Sequence, residues 1–405
     1  MTYVLYISYD GMTDPLGQSQ VLPYIIGLSK KGYNFHLISF EKQDRYTSSK
    51  KDIEEICHSN NINWHPLSYT KNPPLLSTIK DVYRLNRYAT DLHKRYKFSI
   101  IHCRSYISSL VGVNLKKKFG IKFIFDMRGF WADERVDGKI WNLKNPIYKI
   151  VFNYFKRKEI QFFNEADQII SLTHAGKKEI LKSQKINIKE NKITVIPCCS
   201  DLQIFNEKMI DLNKSEEFKI NNNLMNKKIL GYVGSIGTWY LLDEMLAFFK
   251  IQKEKHNNLH FLFITKDDAS GIFSKAEALA IPKSDISIIS SSRQDMPTYI
   301  SLFNCSIFFI KPCFSKLASS PTKQGELMSM GIPLIVNDGV GDTSFIVEKY
   351  RAGITLNNFS EDTFRQTNLE FSDFNKLTTQ KGSEEFYGLH NGVENYHTVY
   401  SEVLQ

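Results

Sequence analysis

The feature that most constrains the fold is an alternation of short apolar runs with amphipathic helical segments. The first half of the chain contains a weak run near residues 62–68 and the stronger runs YVLYIS, NFHLISF, FSIIHC, KFIFDM, QIISL and ITVIP. Apolar runs of this length between helical patterns are typical of parallel strands joined by helices that cover both faces of a sheet. The first half is therefore predicted to form one doubly wound, Rossmann-like α/β domain.

The same alternation starts again after a polar passage at about residues 206–228. Its runs are KILGYVG, LHFLFIT, ISIIS, CSIFFI, PLIV and GITL. We predict two Rossmann-like domains, 1–205 and 206–385, and a terminal helix at 386–405 that packs back on the first. Ligands bind such sheets outside the carboxyl ends of the strands. The two domains are expected to face each other across a cleft, with a nucleotide on the second and the other substrate on the first.

Composition narrows the classes of partner. The 405 residues carry a formal net charge of +9, which favours nucleic acids, acidic membranes or phosphorylated small molecules. Sequence-specific nucleic-acid binding is disfavoured because no zinc-finger spacing, RNP-like motif or basic region with heptads occurs. The six cysteines lack C-x-x-C spacing and no His/Cys cluster is present, so we expect reduced thiols and no bound metal or other cofactor. The absence of a long apolar run or a signal-peptide pattern predicts a cytoplasmic protein.

The stretch SSPTKQGELMSMGIPLIVND (319–338) is the first candidate site. Ser320 fits an N-cap and Pro321 the first position of a helix running to about Met330, whose free N–H groups would bind an anion. Lys323 and Glu326 are three residues apart and share a face. Glu326 lies roughly 7 to 8 Å along the axis from Pro321, about the span from a diphosphate to a ribose. The alternative is a capped helix with a solvated Lys–Glu pair.

Three loops that follow predicted strands are further candidates. GYVGSIGTWY lacks the dinucleotide fingerprint, which disfavours a dehydrogenase, but Gly234 permits close backbone approach, and Ser235 and Thr238 could donate hydrogen bonds. SYDGMTDPLGQSQ supplies Gly17 and Gln18 in the first domain. Either loop could instead be an ordinary turn or surface loop.

The third loop, FDMRGFWADER, places Asp126 and Arg128 at the end of a strand, with Trp131 in a long loop behind them. Arg104 ends the preceding strand in the same way. Charges at the carboxyl end of a buried strand favour a functional role, and a structural ion pair is the alternative. The segment PIYKIVFNYFKRKEI interleaves aromatic and basic residues, which suits an anionic membrane surface; a core helix with a solvated basic face is the alternative.

With these motifs, the chain resembles a family 4 glycosyltransferase of the GT-B fold. The resemblance rests on DGMTDPLGQSQVLPYIIGLSKKGYNFHLISFE, FDMRGFWADERVDGKIW, GYVGSIGTWY and SPTKQGELMSMGIPLIVNDGVGD. It implies transfer of a sugar from a nucleotide diphosphate donor with retention and without a bound metal. It also implies that Glu326 holds the ribose, that the helix start around Thr322 and Lys323 holds the diphosphate, and that Gly17 backs the phosphate from the opposite domain.

The chain departs from the family pattern at three places. Ala318 stands where the family has the earlier of two glutamates, and Ser235 stands where an arginine and lysine usually follow the glycine of the second domain. Lys323, with Lys316 or Arg293, would then stabilise the leaving diphosphate. The family's histidine after the fifth strand is replaced, with Asp126 and Arg128 nearby.

The sequence thus predicts a membrane-associated retaining glycosyltransferase that extends a lipid-linked or oligosaccharide acceptor of a capsule or O-antigen. The alternatives are a GT-B-fold sugar-nucleotide epimerase and a non-catalytic scaffold. The predicted site comprises catalytic Lys323, Asp126 and Arg128; donor-binding Glu326, Thr322, Ser320, Gly17, Gly234, Ser235, Thr238 and Arg293; and acceptor-binding Arg104, Trp131 and Gln18.

Overall fold

The computed structural model describes residues 2–405, and the chain divides into two compact units. The first unit contains the chain up to Cys198, the short segment Leu317–Ser319 and the C-terminal segment Leu389–Gln405. The second contains Cys199–Lys316 and Ser320–Gly388. The chain therefore changes unit at 198/199 and 388/389, where we predicted 205/206 and 385/386. The return of residues 317–319 to the first unit was not predicted.

The first unit is built on seven strands. They are β1 (Thr2–Ser8), β2 (Tyr33–Glu41), β3 (Ile62–Ser68), β4 (Ile100–Arg104), β5 (Lys122–Asp126), β6 (Gln168–Ser171) and β7 (Ile193–Val195). All pair in parallel, in the order β3-β2-β1-β4-β5-β6-β7, with Val4 opposite both Phe35 and Ile100. The strand order reverses between β1 and β4, so this is the point at which a doubly wound sheet binds ligands.

Eight α-helices precede the second unit. They are α1 (Pro15–Gln20), α2 (Leu22–Ser29), α3 (Gln43–Ser59), α4 (Leu76–Tyr96), α5 (Ser105–Phe119), α6 (Trp131–Asp137), α7 (Pro146–Glu165) and α8 (His174–Leu181). The core contains Phe123, Phe125, Phe162 and Phe163, all fully buried. Every residue of β4 is buried, as expected for a strand covered on both faces.

The second unit repeats the architecture with six strands. They are β8 (Lys228–Val233), β9 (Leu259–Ile264), β10 (Ile286–Ile289), β11 (Cys305–Phe308), β12 (Leu334–Asn337) and β13 (Gly353–Leu356). They form a parallel sheet in the order β10-β9-β8-β11-β12-β13, which reverses between β8 and β11. Its helices are α9 (Leu212–Asn221), α10 (Leu242–Lys255), α11 (Ala269–Ala278), α12 (Met296–Ile300), α13 (Thr322–Ser329), α14 (Thr343–Lys349), α15 (Glu361–Gln366) and α16 (Lys376–Tyr387).

The last helix, α17 (Leu389–Leu404), packs against α2 and β4 of the first unit. The sequence indicated one amphipathic terminal segment, but Gly388 separates α16 from α17, and the two helices belong to different units. All six cysteines are free, as predicted, and only Cys313 among them is not buried. Within residues 2–405, no helix has both the length and the apolar character needed to cross a bilayer.

Candidate functional site

The start of α13 lies at the carboxyl edge of the second sheet, after β11. The helix begins at Thr322 and its N-cap is Pro321, without a side-chain cap bond. The prediction of Ser320 as N-cap was therefore wrong by one residue, because the proline takes an extended conformation just before the helix instead of its first helical position. Thr322 is half-buried, and its carbonyl accepts a hydrogen bond from the Ser200 hydroxyl at 3.3 Å.

Lys323 is held between aromatic rings in the first turn of α13. Its Nζ lies 3.7 Å from the ring centre of Tyr240 and 4.1 Å from that of Tyr232, and it donates to the Tyr232 hydroxyl at 3.0 Å. Burial lowers the pKa of Lys323 well below its usual value, although Glu326 and Asp267 oppose the shift. An additional negative charge beside the amine would raise this pKa again.

The same amine adjoins the glycine that ends β8. Gly234 has φ +103°, and a Cβ built on it would lie 3.2 Å from the Lys323 Nζ. Lys323 of α13 thus lies beside the glycine after which this sequence lacks the basic pair expected from the family resemblance.

Glu326 lies one turn after Lys323 and is buried. Its carboxylate accepts a hydrogen bond from Arg293 at 3.3 Å, and the Arg293 side chain is 43% exposed. Burial raises the pKa of Glu326, and Arg293 and Lys323 lower it in part. Glu326 and Lys323 are close enough to interact electrostatically, so α13 presents an acid and a base together, as the spacing of three residues predicted.

The loop after β8 is closed by an aspartate that the sequence analysis missed. Asp267 follows β9 and accepts hydrogen bonds from the Ser235 hydroxyl at 2.9 Å and from the Ile236 N–H at 2.6 Å. Ser235 is thus engaged within the protein, while Thr238 is exposed on the same loop. The signal that could have found Asp267 is its place after a buried strand next to the glycine-bearing one.

The glycine-rich loop after β1 is anchored by Glu41 at the end of β2. The Glu41 carboxylate accepts from the Met12 N–H at 2.8 Å and from the Thr13 N–H at 3.1 Å. A Cβ on Gly17 would collide with the carbonyl oxygen of Gly11. Gly17 is therefore required for the packing of its own loop, which is a structural reason for the glycine independent of any ligand.

Arg104 ends β4 beside this loop, at the switch point of the first sheet. Its Nε donates to Asp10 at 3.4 Å, and its Nη1 is buried with no hydrogen-bond partner among the described residues. Gln18 donates to the carbonyl of Thr13 at 3.3 Å. The buried, partly unsatisfied guanidinium is the group at this edge best suited to meet a polar ligand.

Asp126 lies buried in a side-chain network with Arg128, in which its Oδ1 has no hydrogen-bond partner among the described residues. The Asp126 carboxylate accepts from the Tyr396 hydroxyl at 3.1 Å and lies 3.5 Å from His102 Nε2 and 3.9 Å from Arg128 Nη1. Tyr400 contacts the other nitrogen of His102 at 2.7 Å. Burial acts to raise the pKa of Asp126, but Arg128 and His102 hold it below its usual value.

This network supports the structural ion pair that the sequence left as the alternative. Arg128 adopts a left-handed backbone with φ +56° and donates to the Cys198 sulfur at 3.2 Å. Two of the partners come from α17, so the network fastens the C-terminal helix to the first sheet. His102, Tyr396 and Tyr400 were not singled out from the sequence.

We predicted that Trp131 lies in a loop, but it is the first residue of helix α6. Its ring packs 4.8 Å from Phe155, 5.4 Å from Trp141 and 5.7 Å from Tyr106, measured between ring centres. The partly buried indole thus packs against Tyr106 of α5 and Phe155 of α7. Ala318, where the family has a glutamate, is fully buried in the core of the first unit, 2.9 Å from a Cβ built on Gly176.

Among residues 2–405, no group of three or more His, Cys, Asp or Glu side chains is arranged to hold a metal ion. The basic side chains at this edge include Lys323 on α13 and Arg293, which pairs with Glu326. Lys316 is also buried, with its Nζ 3.6 Å from the ring centre of Trp239. The chemistry that this edge offers is therefore a base and an acid on α13, next to a glycine-bearing turn.

Comparison with known proteins gives a family match for part of the chain. Residues 21–204 match the model described as Glycosyltransferase Family 4. The capsular polysaccharide biosynthesis glycosyltransferase CapM of Staphylococcus aureus is 28% identical over 211 residues, which cover 49% of this chain and 53% of CapM. The chain thus spans about half the length of this curated relative.

Solved structures are similar in fold over nearly the whole chain. Sucrose-phosphate synthase from Thermosynechococcus elongatus superposes with a TM-score of 0.75 at 13% identity, covering 100% of this chain and 99% of that one. HepE from Anabaena, in complex with UDP and glucose, gives 0.69 at 9% identity, covering 99% and 100%. The predicted GT-B fold and the resemblance to family 4 glycosyltransferases are confirmed.

Proposed function

We propose that the protein is a retaining glycosyltransferase that moves a sugar from a nucleotide diphosphate sugar to a glycan acceptor of a surface polysaccharide. The observation that carries this proposal is the placement of Lys323 and Glu326 on α13, beside Gly234 at the carboxyl edge of the second sheet. The relative named for capsular polysaccharide biosynthesis supports the class of product. The acceptor is proposed to be lipid-linked and the reaction cytoplasmic.

In the proposed complex, the diphosphate lies between the N–H groups of the first turn of α13 and the loop at Gly234. Lys323 donates charge-assisted hydrogen bonds to the phosphates, whose negative charge acts to raise its lowered pKa. The ionised Glu326 accepts hydrogen bonds from the two ribose hydroxyls, because a carboxylate is an acceptor only. Arg293 lies half-exposed beside Glu326. In the proposed complex its side chain stays with Glu326 or moves toward the bound nucleotide.

The transfer step then requires the bond between the anomeric carbon and the diphosphate oxygen to break. Lys323 and the backbone N–H groups stabilise the negative charge on the leaving diphosphate, which is the role that preorganised donors perform best. The acceptor hydroxyl attacks the same face of the sugar, and its proton passes to the leaving phosphate. Arg104, with its unpartnered Nη1, is proposed to bind the acceptor.

The buried network around Asp126 changes the roles proposed for the first unit. Asp126 and Arg128 are engaged with His102, Tyr396 and Cys198, so we propose that they position β5 and α17 and take no part in proton transfer. Because Ala318 offers no carboxylate, the proposal assigns no contact with the donor sugar to this position.

The test is a screen of nucleotide and nucleotide-sugar binding with matched variants. UDP, GDP, TDP and CMP are ranked by thermal shift, and the corresponding nucleotide sugars are incubated with the wild-type protein. We expect one nucleotide diphosphate to stabilise the protein and its sugar conjugate to be hydrolysed slowly. Glu326→Ala should weaken binding about tenfold or more, the cost of losing hydrogen bonds to a charged group. Glu348→Ala, an exposed glutamate on α14, is the control and should bind like wild type.

Other results would point elsewhere. Interconversion of sugar isomers without an acceptor would indicate an epimerase. Failure of every nucleotide to bind would contradict transfer altogether and favour a scaffold. Unchanged affinity in Glu326→Ala would leave the transferase possible but remove Glu326 from the donor site.

A further inference from the structure

Helix α4 exposes a row of large apolar side chains although the first unit has a well-filled core. Leu76, Ile79 and Tyr83 are 64, 64 and 69% exposed. Their spacing of three and four residues places them on one face of the helix. Single exposed apolar residues are ordinary, but a contiguous group marks an interaction surface.

Helix α7 repeats the pattern. Ile147, Ile150 and Tyr154 have the same spacing and are 57, 67 and 39% exposed. On another face of α7, Phe155 and Phe162 are buried in the core. The helix therefore anchors itself through one apolar face and still presents a second apolar row to solvent, which packing within the unit does not explain.

The two rows lie at the same end of the same side of the sheet. Both helices pack against α5, since Asn114 of α5 donates to Asn86 of α4 at 2.6 Å and Tyr106 of α5 donates to Glu159 of α7. Each helix connects parallel strands and so begins at their carboxyl edge. The exposed rows occupy the first halves of α4 and α7, and hence both lie towards the edge at which Arg104 ends β4.

Basic residues lie beside both rows. Residues 138–158 contain no Asp or Glu; of their bases, Lys156 is paired with Asp133 and Glu159, and the others are Lys139, Lys144, Lys149, Arg157 and Lys158. Beside the α4 row are Lys71, Lys80 and Arg87, together with Arg84, which is paired with the buried Asp81. The combination of exposed apolar side chains with a ring of bases is typical of helices that lie in the interface of an anionic bilayer.

We propose that the α4–α7 surface, formed by these two rows and their surrounding bases, docks the protein on an anionic lipid bilayer. The bases attract acidic headgroups, and the apolar rows enter the boundary between headgroups and acyl chains. A second copy of the chain fits less well, because a two-fold interface would place these like charges opposite one another. Docking on the bilayer does not depend on the proposed function. Only its consequence does, namely that a lipid-linked acceptor would reach the sheet edge at which Arg104 lies.

The test is co-sedimentation of the full chain with vesicles of phosphatidylcholine, with and without phosphatidylglycerol. The wild-type protein should bind only the vesicles that contain phosphatidylglycerol, and added salt should weaken binding. The double variant Ile147→Ser/Ile150→Ser should lose about tenfold or more in partitioning, because it removes inserted apolar groups. Lys144→Gln/Lys149→Gln should lose about tenfold through weaker attraction to the headgroups.

Two matched double variants serve as controls. Ile220→Ser/Leu377→Ser removes exposed apolar residues of the second unit, and Lys117→Gln/Lys118→Gln removes bases at the other end of α5. Both should bind vesicles like wild type. Circular dichroism and nucleotide affinity, measured on every variant, report whether the fold is retained.

The proposal is overturned if wild-type protein ignores phosphatidylglycerol at low salt, or if the control pairs lose binding as much as the test pairs. It is also overturned if sedimentation velocity reveals a dimer that Ile147→Ser/Ile150→Ser dissociates, since the row would then be a contact between copies. Protein that binds vesicles but no nucleotide contradicts the proposed transferase alone; protein that binds nucleotide but no vesicles contradicts the docking surface alone.

Discussion

The carboxyl edges of the two sheets both carry charged residues, but the charges have different surroundings. In the first unit, Asp126 is fully buried and contacts Tyr396, His102 and Arg128. In the second unit, Glu326 has a half-exposed arginine as its partner, and burial lowers the pKa of Lys323 well below its usual value. The difference indicates that a charged side chain after a buried strand either is engaged by other side chains inside the fold or stays available for a ligand.

The largest expected effect comes from breaking the buried network. Asp126→Ala leaves Arg128 buried without its carboxylate and removes the acceptor of Tyr396. Removing one partner of a buried ion pair costs about 3–5 kcal/mol, so the free energy of unfolding should fall by that amount. Urea denaturation, followed by circular dichroism, measures the loss.

Asp91→Ala is the matched control for this prediction. Asp91 lies on α4 of the same unit and is 62% exposed, so the change should stay within about 0.5 kcal/mol. If Asp126→Ala folds with wild-type stability yet abolishes sugar transfer, the comparison fails, and Asp126 returns to the catalytic role predicted from sequence.

A smaller effect, on binding and not on folding, is expected at Lys323. Lys323→Met keeps an apolar side chain between Tyr232 and Tyr240 but removes the donor to the phosphates. The affinity for the nucleotide diphosphate should fall by about 1.5–3 kcal/mol, the contribution of a hydrogen bond to a charged group. Stability should not fall, because the buried amine is costly to desolvate.

Calorimetry in buffers of different ionisation enthalpy sharpens this prediction. The pKa of Lys323 is lowered in the free protein and should rise beside a diphosphate. Wild-type protein is therefore expected to take up a proton on binding, Lys323→Met should not, and Lys266→Met, at an exposed lysine of the same unit, should behave like wild type. Equal proton uptake by all three would show that Lys323 does not face the phosphates.

The fold was largely predictable from the sequence because alternating buried runs and helical segments impose one architecture. The acid–base pair on α13 was also predictable, since positions 323 and 326 share a face whatever the tertiary structure. The errors were local: Pro321 displaced the start of α13 by one residue, and the segment at Trp131 is a helix that packs against an aromatic cluster.

The partners of the charges could not be predicted, because they come from distant parts of the chain. Tyr396 reaches Asp126 across 270 positions, and nothing around FDMRGFWADER indicates that α17 returns to cover it. Asp267 likewise closes the loop at Ser235 from the next strand. A sequence pattern identifies a charged side chain at a strand end, whereas its availability depends on tertiary contacts.

The smallest expected effect comes from changing Arg293. The change tests whether nucleotide binding by Glu326 depends on its ion pair with Arg293. Burial raises the pKa of Glu326 and Arg293 lowers it, so Arg293→Gln should raise that pKa further. Because an ionised Glu326 accepts hydrogen bonds from the ribose hydroxyls more strongly than a protonated one, the pH below which nucleotide affinity declines should move upward. At higher pH the affinity should change little, since a half-exposed ion pair contributes about 0–1 kcal/mol.

The stability of this variant should follow the same sign. A carboxyl whose folded pKa is raised stabilises the fold below its unfolded pKa, and that contribution is lost as pH rises through the folded pKa. In Arg293→Gln the loss should therefore extend to higher pH than in wild type. Nucleotide affinity and the free energy of unfolding, each measured across acidic and neutral pH, test the predictions on binding and on stability. The control is Arg157→Gln, which changes an exposed arginine of the first unit. If wild type, Arg293→Gln and Arg157→Gln give the same dependence of nucleotide affinity on pH, Glu326 would be as inaccessible to a ligand as Asp126. The difference between the two sheet edges would then disappear.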